Sequence, residues 1–167
     1  MKLTPFRIIV SLLILLSAFQ VQAQTPVTSA ADPEKLFTSS DTRLHKNKQV
    51  VYHIVKDLLE CNHWELADKY IAEDYIQHNP NAANGREAVV KFFTNVLKVK
   101  PSPIPDKMKS KVVSVVAEGD LVTVAFVKEE KNPNDPGKTY TTTWFDQWRI
   151  VNGKAVEHWD GATLFAK

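Results

Sequence analysis

The side chains best suited to chemistry lie near the end of the chain. Asp146, His158 and Asp160 sit in two β-branched, aromatic-rich runs separated by Asn152-Gly153. Alternation along the first run puts Asp146 on one face with Trp144 and Trp148, a carboxylate among aromatic rings. The turn decides its neighbours. A two-residue turn would pair Asp146 with Trp159. A three-residue loop, Val151-Asn152-Gly153, would pair Asp146 with His158 and Trp144 with Asp160. Only the second gathers Gln147, Arg149 and Glu157 on a polar outer face and Trp144, Asp146, Trp148, Val156, His158 and Asp160 on an inner one. A slip of one residue exchanges the faces, so the three-residue loop is the predicted register. Two carboxylates and an imidazole in an apolar cavity can exchange a proton with a carbon acid near neutral pH, without a metal or organic cofactor. Asp160, Asp146 and His158 are therefore the candidate catalytic groups. The same cluster could also serve only to pin the hairpin.

A second group lies in Tyr75-Ile76-Gln77-His78-Asn79-Pro80. His78 and Asn79 are candidates for a polar lip that orients a substrate carbonyl; turn chemistry is their plainer role. Tyr75, Trp144 and Trp148 are candidate substrate contacts. His53, with Tyr52, lies beside the apolar stripe of the first helical pattern and is a candidate for the pocket floor. A metal held by His78, His158, Asp146 and Asp160 is conceivable from ligand type. No two of them have the i, i+4 helical spacing, so no metal is assigned and no cofactor is called for. His45 and His63 read as surface residues. Cys61, the one cysteine, reads as a buried filler at a helix end, and its solitude excludes an intrachain disulfide and a Cys-rich zinc module.

Helices and strands must position these groups. Val51, Ile54, Val55, Leu58 and Leu59 form one amphipathic stripe and predict a helix over 43–61. Trp64, Ala67 and Ile71 predict a short second helix. Asn84, with Glu87 as reciprocal partner, predicts the cap of a third. Its stripe is Val89, Phe92, Phe93, Val96 and Leu97, and Pro101, Pro103 and Pro105 end it. Extended runs follow over 109–117, 121–130, 140–151 and from Lys154 to about Phe165, with turns at Gly119-Asp120 and Asn152-Gly153. Helices first and strands afterwards is an α+β order. It predicts three N-terminal helices packed on a strongly curved, mainly antiparallel sheet: a cone-shaped barrel with an internal pocket.

The chain has 167 residues, of which 44% are apolar and 10% aromatic, enough for one globular core. Its formal charge of +2 comes entirely from Lys2 and Arg7. Without them the balance is zero, which speaks against a nucleic-acid partner. Those two cations precede the apolar run Ile8–Phe19 and Val21-Gln22-Ala23, the pattern of a cleavable secretory signal over 1–23, cut after Ala23. The run is short for a membrane span, so no stable membrane anchor is expected once it is removed. A periplasmic or secreted protein is the expectation. Residues 24–42 read as a flexible lead-in and 43–167 as the domain.

Together, Tyr75–Pro80 with Gly85-Arg86-Glu87-Ala88, then Asp146-Gln147-Trp148-Arg149-Ile150, then Asn152–Asp160 resemble the SnoaL-like polyketide cyclase domain of the nuclear transport factor 2-like superfamily. The resemblance spans about Arg43 to Phe165. It implies a cone-shaped α+β barrel, often dimeric through its sheet, with a deep pocket. It also implies an acid/base aspartate at Asp160 that drives an aldol closure. Asp146 stands where those cyclases carry a pocket histidine. The expected activity is cofactor-independent acid/base chemistry on a small apolar carbonyl compound, of cyclase or isomerase type. The alternatives are a non-catalytic periplasmic module that binds such a molecule, and an interaction domain whose outer sheet face, with Phe145 and Trp159, pairs with itself or with another protein; a homodimer is the expected assembly.

Overall fold

The computed structural model describes residues 25–166; the leader read over 1–23 lies outside them. Helix α1, Thr42–His53, begins where the Asp41 carboxylate accepts from the N–H groups of Arg43 and Leu44, a side-chain cap. It runs directly into a π-helical stretch, Ile54–Glu60. Val51, Ile54, Val55 and Leu58 of the predicted stripe are buried. After a 3-10 turn at Trp64–Leu66, α2 is a single turn, Ala67–Tyr70.

The chain then enters strand β1, Ile71–Gln77, which the helical spacing of Trp64, Ala67 and Ile71 does not predict. Helix α3, Arg86–Lys91, continues as a π-helical stretch, Phe92–Val96. The predicted Asn84–Glu87 capping box does not form. Gly85 is the N-cap, at a φ of 91° that disfavours any side chain. Asn84 Oδ1 instead accepts from the Gln77 N–H at 2.9 Å, and Glu87 pairs with Lys91.

Four strands complete the sheet: β2 (Val112–Glu118), β3 (Leu121–Asn132), β4 (Asp135–Val151) and β5 (Lys154–Asp160). The order is β1-β5-β4-β3-β2. β1 lies parallel to β5, and every other pair is antiparallel. The predicted four-strand meander is present and gains a fifth, parallel edge strand. Register shifts in β1, β2 and the β4–β5 pair bend the sheet. β1 and β2 remain its edges, so this is a curved open sheet covered by three helices and not a closed barrel.

The segment expected to be a loose lead-in is docked on the domain. Phe37 is fully buried, the Ala30 N–H donates to the Val112 carbonyl at 2.8 Å, and the Val27 N–H donates to Thr141 Oγ1 at 2.7 Å. A 3-10 turn at Pro33–Phe37 brings Glu34 within 3.3 Å of the buried Lys56 ammonium. An apolar anchor and a counter-charge hold the segment where composition alone shows neither. Among the described residues no helix is long and apolar enough to cross a membrane.

Candidate active site

The β4–β5 ribbon positions the acidic groups. Val151 pairs with Lys154 across Asn152 and Gly153, whose φ angles of 51° and 75° are the left-handed pair of a two-residue hairpin turn. The predicted three-residue loop is therefore not used. The extra residue enters beyond the turn instead: Ile150 faces Ala155, yet Arg149 faces Glu157. Such a bulge shifts the register by one residue, in the opposite sense to the longer loop but with the same exchange of faces. Beyond it Trp148 faces His158 and Asp146 faces Asp160. Asp146, Trp148, His158 and Asp160 thus share the inner face, as the alternation predicts, although the partner of Asp146 is Asp160 rather than His158. Near the turn it is Ala155, fully buried, that points inward, where Val156 was expected.

Between this face and the helices lies a cavity of about 200 Å³. Its apolar wall comes from Ile54, Leu59, Trp64, Ile71, Val89, Phe92 and Phe93. Trp64 and Phe93 stack with ring centroids 3.9 Å apart. Trp144, Trp148, Tyr75, Gln77, Asn79, Ala82, Asp146, His158 and Asp160 complete the lining, and no lysine or arginine is among them.

The polar groups are bonded to one another. Asp146 Oδ1 accepts from Trp144 Nε1 at 2.9 Å and lies 3.3 Å from His158 Nε2. His158 Nδ1 lies 2.8 Å from Gln77 Oε1, and the Asn79 backbone N–H donates to that same oxygen at 3.0 Å. Asp160 Oδ2 accepts from Asn79 Nδ2 at 2.8 Å, and its Oδ1 accepts from the Ala162 N–H at 2.9 Å. Asp146 and His158 are buried; Asp160 is half-buried. Burial pushes the Tyr75 hydroxyl far above the usual tyrosine range; the Trp148 side chain opposes this, and the charges of Asp146 and Asp160 add to it. Tyr75 therefore stays a protonated donor at neutral pH.

The candidates proposed from sequence divide. Asp146, His158, Asp160, Asn79, Tyr75, Trp144 and Trp148 all line the cavity. His78 does not. Alternation along β1 sends Tyr75 and Gln77 inward and Ile76 and His78 outward. His78 stacks on Trp159 at 5.2 Å, and its Nε2 meets Glu157 Oε1 at 2.9 Å. With Arg149 it holds the Glu157 carboxyl below its usual range. His53 is absent from the lining as well; it bonds Asp57 at 3.0 Å and stacks on Tyr70. Gln77 is the polar group the sequence reading passes over. The alternation Tyr75-x-Gln77-x-Asn79 marks it once 71–77 is known to be a strand.

One ligand atom from each of Asp146, His158 and Asp160 lies within 4.8 Å of the other two. A divalent ion takes such donors. Three N–H groups already bond the two carboxylates, an arrangement that also suits proton handling, and we assign no metal to them.

Two solved structures share this fold. One is a candidate polyketide cyclase from Acidithiobacillus ferrooxidans, with 18% identity over 74% of this chain and 89% of that one and a TM-score of 0.52. The other is a nuclear transport factor 2-like protein of unknown function from Burkholderia pseudomallei K96243, with 17% identity over 71% and 91% of the two chains and a TM-score of 0.50. At such identities the likeness concerns the fold. No curated protein matches the sequence. The SnoaL-like domain model matches residues 55–158, from the π-helical stretch after α1 to His158 on the cavity wall. With most of its length so matched, and with the family's helices-on-curved-sheet architecture, the chain belongs to the SnoaL-like domain family.

Proposed function

We propose that the protein is a cofactor-free acid/base enzyme acting on a small, mostly apolar carbonyl compound by proton abstraction, in the manner of a cyclase or isomerase. One observation carries this reading. Two carboxylates and an imidazole meet within 4.8 Å on the wall of a mainly aromatic and aliphatic cavity that no lysine or arginine lines. Such a cavity disfavours anionic ligands and leaves proton transfer as the chemistry its groups can do.

Asp160 takes the proton from the carbon next to the carbonyl. Asn79 and the Ala162 N–H bond its two oxygens and aim the carboxylate. Tyr75, kept protonated by burial, donates to the developing enolate oxygen. This role passes to Tyr75 because His78 faces outward and Asn79 is spent on Asp160. Asp146 and His158, opposite, relay the proton. The outer-face hollow lined by Thr123, Phe145, Gln147 and Trp159, with Asp160 and Gly161 at one end, is the surface we assign to homodimer contact. The leader makes the mature protein periplasmic or secreted.

A second reading is a binding module without turnover. It draws on the same hydrogen bonds, since both Asp160 oxygens are already occupied. The test is native mass spectrometry of protein taken from its host. The recovered molecule is then incubated with wild type and with Asp160→Asn. Conversion by wild type alone supports the enzyme. Recovery of the molecule unchanged from both supports the binding module.

A further inference from the structure

We propose that Gln77 is a positioning residue that sets the tautomer of His158, with the ring proton on Nδ1 and the Nε2 lone pair facing Asp146. The inference serves the proton-handling reading above, but its geometry stands without it. Gln77 and His158 are partners across the parallel β1–β5 pairing, and the His78 N–H donates to the His158 carbonyl at 3.1 Å. Backbone register therefore sets the two side chains against each other.

A backbone N–H only donates, so the Gln77 atom 3.0 Å from the Asn79 nitrogen is the amide oxygen. That oxygen only accepts. His158 Nδ1, 2.8 Å from it, must carry the proton. Rotating the amide would offer NH₂ to the ring but set donor against donor at Asn79. The opposite tautomer leaves one buried hydrogen bond unmade whichever way Gln77 turns, and the 2.8 Å contact it gives up at Gln77 is shorter than the 3.3 Å contact it would gain at Asp146.

The consequence falls on Asp146. His158 Nε2 lies 3.3 Å from Asp146 Oδ1, which already accepts from Trp144. With Nδ1–H committed to Gln77, this contact is attractive only if one proton lies between the two atoms. Either Asp146 holds it as the acid, or His158 holds it as a second N–H. A histidine free to choose could take the Nε2–H form and satisfy Asp146 with no extra proton. Gln77 disfavours that option, which leaves Nε2, facing Asp146 and opposite Asp160, as the ring nitrogen open to proton exchange.

The test needs no substrate. Two-bond proton–nitrogen correlation spectra of ¹⁵N-labelled protein report which imidazole nitrogen is protonated. Wild-type His158, identified by the signals lost in His158→Gln, is expected to show a protonated Nδ1 throughout the pH range in which the protein is folded. Gln77→Leu should move the proton to Nε2, and Gln77→Glu, which still accepts at that position, should restore it to Nδ1. The His78 and His53 signals, from rings outside the cavity, should stay unchanged and certify the fold. A wild-type His158 protonated on Nε2 alone, or a Gln77→Leu spectrum identical to wild type, would overturn the proposal. If Gln77→Leu does not fold, the wild-type spectrum decides. A protein without turnover whose His158 is locked on Nδ1 would sink the enzyme reading and leave this one standing.

Discussion

Asn79 Nδ2 donates to Asp160 Oδ2 at 2.8 Å, across 81 residues of sequence. An amide N–H cannot accept, so this bond presents Asp160 as a proton acceptor and fixes its direction. Asn79→Ala removes the bond while the Ala162 N–H still holds the other oxygen. The loss of stability should be about 1 kcal/mol. Turnover should fall roughly a hundredfold, because a misaimed base loses its near-attack geometry. Urea titration and steady-state kinetics on the same preparation separate the two effects.

The faces of the β4–β5 ribbon were legible in the sequence because alternation of side chains is a local property. The turn was not. A two-residue turn with a bulge and a three-residue loop produce the same inward set of Asp146, His158 and Asp160, so the pattern cannot distinguish them. β1 was hidden for a different reason. Ile71–Gln77 is half polar, follows on from a helical spacing, and owes its extension to β5, far along the chain. Reading it as helix and loop placed His78 at the cavity lip and overlooked Gln77. The docking of Phe37 and Glu34 was hidden likewise, since their partners lie in α1, its π-helical extension and the loop before β2.

Lys56 is buried, with its ammonium 3.3 Å from Glu34, 2.8 Å from the Tyr52 hydroxyl and 2.8 Å from the Asp106 carbonyl. The Met108 N–H, ahead of Tyr52 and Lys56, holds the Glu34 carboxyl below its ordinary value of 4.5. A lowered carboxyl contributes stability above that value and loses it as pH falls through the folded one. Glu34→Ala strands the Lys56 charge and should cost about 2 kcal/mol at neutral pH, less than a fully buried pair because Glu34 is partly exposed. Its stability should also fall less steeply than wild type as pH drops below 4.5. Urea midpoints across that range check both statements.

Phe145 is 55% exposed on the sheet face opposite the cavity, beside Trp159. If that face joins two copies, Phe145→Glu places a charge in the contact. Light scattering should show a dimer for wild type and a monomer for the variant. A monomeric wild type would remove the dimer from consideration.

The expected cut after Ala23 would leave Gln24 as the first residue. Intact mass of the protein from the periplasm or medium of its host should match a chain of 24–167. A full-length mass from the membrane fraction would contradict export by a cleaved leader.

The most direct test of the central claim is exchange of hydrogen for deuterium on the co-purified small molecule, followed by mass spectrometry in D₂O with and without a chelator. Wild type should label the carbon next to the carbonyl whether or not chelator is present, and Asp160→Asn should not. Absence of label with wild type, equal labelling by Asp160→Asn, or loss of labelling in chelator would contradict a metal-free proton abstraction by Asp160.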